Sequence, residues 1–145
     1  ADGVFDDQAA QRETAERLRR DVWMFAQIVR AFASKARHCG GDDRWAAVQQ
    51  FAFVREFLAY FRAMGYPVLR STDYPRFDAF MDAMGRLSDT DLVDPSGLEA
   101  AISECAAFHR FLRELFDSIS RREVLQGRQF DRREAAEALR LYVGG

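Results

Sequence analysis

The apolar positions Leu98, Ala101, Cys105, Phe108, Leu112, Leu115 and Ile119 step by three and four residues in alternation. That rhythm places them on one stripe of an α-helix, in the seven-residue pattern of helices that pack side by side. It predicts a helix from Pro95 to about Leu125. The same rhythm in Ala15, Leu18, Val22, Phe25, Val29, Phe32 and Ala36 predicts another from about Gln8 to Arg37, roughly 45 Å long at about 1.5 Å per residue. Trp23, Met24, Ile28 and Ala31 widen its apolar face, so its second half is expected to be the more deeply buried. Its early turns carry Gln11, Arg12, Glu13, Glu16, Arg17, Arg19 and Arg20, and are expected to project into solvent or meet another subunit.

Between these two lies a helix with two apolar stripes, Ala47, Phe51, Val54, Leu58 and Phe61 on one and Phe53, Phe57, Tyr60 and Met64 on the other. A helix apolar on two sides is either central in a bundle or part of an interface. Cys39-Gly40-Gly41 is expected to end the first helix, Asp42 or Asp43 to open the second and Gly65 to stop it. The longest non-helical connection follows, Tyr66 to Tyr74, and Pro75 suits the first turn of a short third helix reaching about Leu87. Its inward positions are expected to be Phe77, Phe80, Met81, Met84 and Leu87. Asp94 followed by Pro95 reads as a cap and first helical position, with Ser96 and Glu99 as an alternative capping box. After Gly127, Phe130-Asp131-Arg132-Arg133-Glu134 reads as a second such start, Asp131 capping and Glu134 reaching back. It opens a helix over about Arg132 to Val143 with Ala135, Leu139 and Tyr142 on one face.

Outside a short loop near Val68, no segment alternates polar and apolar residues for more than a few positions. The predicted fold is therefore all-α, an antiparallel bundle of four to five helices forming a single domain over 1–145. Residues 1–7 are a flexible polar lead-in, with Asp6 or Asp7 available as a cap, and 128–145 form a short C-terminal helical arm.

Composition changes this picture little. A chain of 145 residues can bury a substantial core, and thirteen Phe imply a heavily aromatic one. A net charge of −2 removes the bulk attraction to phosphate on which a non-specific nucleic-acid binder relies. Charged residues interrupt every helix well short of the ~18 apolar residues that a membrane span needs. Two cysteines, Cys39 and Cys105, make no disulfide framework, which favours the cytoplasm. Twenty Arg against the single Lys35, with no Asn, is the bias of a GC-rich bacterial genome.

Candidate chemistry is sparse. Cys105 and His109 share a helix face, but His38 and Cys39 are sequence neighbours that rarely both reach one ion. In an up-down bundle Cys39 would also sit at a helix end, with Cys105 roughly 15 Å along the next helix. No metal or cofactor is therefore expected. His109 lacks the residues of a phosphotransfer motif, since Leu112 and Arg113 follow where Lys and Gly are required. No phosphate-cradling glycine loop and no nucleophile motif appears, so the chain reads as non-enzymatic.

Two features carry functional content. Arg110, Arg113, Arg121, Arg122, Arg132 and Arg133 are candidates for binding an anion, against a salt-bridged solvent face formed with Glu114, Asp117, Glu123 and Glu134. The excess of apolar surface is the stronger feature. It predicts a regulatory interaction module, a homodimer or the dock for a partner helix, that uses Phe53, Phe57, Tyr60, Leu139 and Tyr142. A bundle enclosing a small apolar ligand in a Phe-rich pocket, and a DNA-associated regulator using the Arg clusters, are the alternatives.

Overall fold

A computed structural model describes residues 2–38, 44–64, 75–88, 92 and 94–144, with the side chains of 2–7, 44, 76 and 77 left aside. The fold is all-α. Among the described residues it comprises α1 (Asp2–His38), α2 (Arg44–Met64), α3 (Pro75–Arg86), α4 (Pro95–Ser120), a 3-10 turn (Glu123–Leu125) and α5 (Arg132–Gly144), with no strand. The expected stops and caps at Cys39 to Asp43, Gly65 and the connection to Tyr74 lie outside the described residues.

Every position of the two leading stripes, from Ala15 to Ala36 on α1 and from Leu98 to Ile119 on α4, is buried. So is the Ala47 to Phe61 stripe of α2. Two expected boundaries differ. No proline or glycine interrupts the chain between Val4 and Gln8, and α1 begins at Asp2, so Asp6 and Asp7 lie inside the helix rather than capping it.

The other difference is at the end of α4, which stops at Ser120 rather than Leu125. Arg122 is extended (φ −63°, ψ 144°), and the chain closes into the 3-10 turn beyond it. In a continued α-helix Leu125 would lie roughly 120° off the Ile119 stripe, six steps of about 100° further on. Breaking the helix lets Leu125 turn back and become buried. Gly127 then takes φ 80°, a left-handed conformation that glycine adopts without strain.

The caps fall where the sequence puts them. The Gly97 amide donates to Asp94 Oδ2 (3.1 Å), ahead of the α4 stripe. The Glu134 amide donates to Asp131 Oδ1 (3.0 Å) at the start of α5.

Contacts divide the chain into two compact units, Ala1–Met24 with Leu112–Gly145, and Phe25–Phe111. The second has an aromatic core. Phe25 contacts Phe57 (5.1 Å between centroids), Phe61 (5.7 Å) and, edge-on, Phe108 (5.1 Å), while Phe80 stacks on Phe108 (5.4 Å). These are the spacings at which ring pairs add to simple burial. Arg62 pairs with Asp82 (3.0 Å), and Arg55 donates to the Leu87 carbonyl (2.8 Å), tying α2 to α3 and the residue that follows it. The first unit buries Leu18, Val22, Leu115, Ile119, Leu125 and Ala135.

Candidate functional site

In the first unit a buried cation, Arg19, grips the chain after Gly127. Arg19 is only 4% exposed, although its neighbours Glu16 and Arg20 are partly open. Its Nη1 donates to the Arg128 carbonyl (3.2 Å), its Nη2 lies 3.5 Å from the Gln129 carbonyl, and its guanidinium sits over the Phe130 ring (5.5 Å). Phe130 in turn contacts Trp23 (5.8 Å) and, edge-on, Phe116 (4.9 Å). Burial lowers the Arg19 pKa and nearby Glu16 opposes that effect. Arg19 Nε is buried without an acceptor among the described residues.

Asp21, also fully buried, accepts from Arg20 Nε (3.3 Å) and Nη2 (3.2 Å). The expectation of solvated early turns on α1 is thus corrected at Arg19, and Asp21 just beyond those turns is buried as well: both lie within the packed part of their unit. The spacing held the signal. Arg19 falls four residues after Ala15 and three before Val22, and Asp21 three after Leu18 and four before Phe25, so both sit on the edge of the buried stripe.

A cleft of about 310 Å³ opens beside this clasp, lined by Glu13, Glu16, Arg17, Arg19, Arg20, Gln129, Phe130, Asp131, Glu134 and Ala135. Four carboxylates face three guanidiniums there. Glu13 pairs with Arg17 (3.7 Å), Glu16 with Arg128 (3.1 Å), and Asp131 caps α5. The positive end of the α5 dipole therefore already holds its anion. None of the six arginines read as anion candidates lines the cleft. Arg110 and Arg113 are exposed on α4, Arg121 is exposed and Arg122 half-buried in the turn after it, and Arg132 and Arg133 are exposed in the first turn of α5.

The second candidate is the outer face of α2. Phe57, read as a docking residue, is fully buried, because its ring closes the Phe25 and Phe61 cluster. Phe53 and Tyr60 are half-buried, Tyr60 resting on Phe57 at 5.2 Å. Around them the exposed positions of α2 are Trp45, Gln49, Ala52, Glu56, Ala59, Arg62, Ala63 and Met64, five of the eight apolar. Trp45 is 64% exposed. On α4 the exposed positions are Pro95, Ser96, Glu99, Ala100, Ser103, Glu104, Arg110, Arg113, Glu114 and Asp117, the usual polar cover. Leu139 and Tyr142 are half-buried on α5, while Leu141 and Val143 stand exposed beside them.

Cys105 is buried 3.6 Å from Met84 Sδ, and burial, reinforced by Glu104, pushes its thiol up to about 12. No group of three or more metal-ligating side chains comes together among the described residues, and none of their helices is long and apolar enough to cross a membrane. No family model, curated protein or solved structure matches this chain.

Proposed function

We propose that this protein works by association, as a non-enzymatic helical interaction module whose contact surface is the outer face of α2. The observation that carries the reading is the apolar cover on that face, where a lone helix surface would be charged. Ala52, Ala59 and Ala63 let a second helix approach closely, and Phe53, Tyr60 and Met64 form a shoulder along one side.

The order of residues favours a second copy as the partner. Reversing the face about Ala52 sets Trp45, seven residues before it, against Ala59, seven after, a large side chain over a small one. The same reversal brings Gln49 near Glu56, an amide beside a carboxylate. A surface complementary to its own reverse is what a two-fold dimer requires. Glu56 then meets a hydrogen-bond donor rather than its own copy.

Ala52→Cys in a Cys39→Ser background places one thiol on that axis, within bridging distance of its mate. Mild oxidation is expected to yield a covalent dimer, while Ala100→Cys on the polar face of α4 stays monomeric. Equal cross-linking at both positions, or none at Ala52→Cys, would remove the basis for the reading.

A further inference from the structure

The contacts around Phe130 have the form of a bound peptide. Two consecutive carbonyls, of Arg128 and Gln129, accept from Arg19; the next residue inserts a ring against Trp23 and Phe116; the one after, Asp131, starts a helix. Beyond Asp131, Ala135 is the buried residue of α5, while Leu139 and Tyr142 are half-buried. The fit is incomplete, because Arg19 Nε is buried and has no acceptor among the described residues.

We propose that this slot on α1 and α4 recognises a helix-starting segment in which an aromatic residue precedes an acidic cap, and that Arg128–Ala135 occupy it as an exchangeable internal ligand. The occupant that displaces them is a segment of another protein with the same order of groups and one more carboxylate, placed to accept from Arg19 Nε. A buried charged donor gains more from an ionised acceptor than from a carbonyl. The hinge for release is at Gly127, whose left-handed backbone no longer needs to be held once the ring leaves. This slot lies in a different unit from the outer face of α2, and it stands whether or not that face pairs.

The test uses the full chain and a fluorescently labelled peptide of residues 126–144 as probe. In the wild type the tethered arm competes at a high effective concentration, so the Phe130→Ala chain is expected to bind the probe at least about tenfold more tightly. A probe carrying the same Phe130→Ala change is expected to lose binding to that chain, and so is the unaltered probe to an Arg19→Ala, Phe130→Ala chain. A Phe130→Leu chain, which keeps an apolar plug, replaces the alanine variant if the latter loses its helical circular dichroism, and the same order of affinities is expected. Equal binding to the variant and wild-type chains, or equal binding of both probes, would overturn the proposal. A wild-type dimer that the probe splits would make the occupant a second copy's arm and overturn the assignment to a foreign segment; a dimer joined through α2 is unmoved by the probe.

Discussion

Arg19→Ala separates a clasp from a solvated charge. Its Nη1 bond to the Arg128 carbonyl, at 3.2 Å, is the sounder of two, and the 3.5 Å approach to Gln129 adds less. A hydrogen bond from a charged group contributes about 1.5–3 kcal/mol. The guanidinium over Phe130, 5.5 Å from its centroid, adds about 0.5–2 kcal/mol. Against these stands the cost of removing the cation from water with Nε left unpaired, the same cost that lowers the Arg19 pKa. The balance is a loss of about 2 kcal/mol, or roughly 4–8 °C in melting temperature for a chain of this size. Arg19→Met keeps the apolar stem and sheds the desolvation cost, so it should lose less than about 1 kcal/mol. Arg17→Ala breaks only an exposed pair with Glu13 and should lose less than about 0.5 kcal/mol. Urea unfolding followed by helical circular dichroism measures all three. Arg19→Ala no more costly than Arg17→Ala would refute the clasp.

Two more outcomes follow from burial. Phe25→Ala removes a fully buried ring with three ring neighbours and should cost about 3–5 kcal/mol in the same unfolding measurement, against about 1 kcal/mol for half-buried Phe53→Ala. Cys105 should resist alkylation at neutral pH until the chain unfolds, since its thiol is held at about 12 against an ordinary 9.0. That direction also sets a sign: the unfolded chain releases this proton first, so the contribution is intact below pH 9.0 and is lost as pH rises toward about 12. Urea midpoints across that alkaline range, compared with a Cys105→Ala chain, check it; no difference in slope would contradict the assignment.

Much of the fold was legible because apolar spacing and caps point the same way. Each of Leu98, Ala101, Cys105, Phe108, Leu112, Leu115 and Ile119 is buried, and Asp94 and Asp131 cap the helices that follow them. Spacing also put Arg19 on the buried edge of α1, but its charge argued for solvent, and only the return of residues 128–130 supplies what Arg19 needs. Leu125 misled for a related reason. An apolar residue near a helix end extends the pattern by eye, whereas here it is buried by breaking the helix at Arg122. The outer face of α2 was half legible. Two stripes marked α2 as over-supplied with apolar groups, but which would close a core and which would stay outside depends on neighbours, and that sent Phe57 inward and left Trp45 out.

Sedimentation velocity on the wild type and on Ala52→Glu, at tens of micromolar, tests the association claim most directly. Ala52 is exposed and glutamate is a good helix former, so the substitution should leave the helical signal and melting unchanged. The expected result is a doubled mass for the wild type and a single mass for Ala52→Glu, whose two carboxylates would meet on the axis. A wild type that sediments as a single chain, or an Ala52→Glu chain that still pairs, would contradict it.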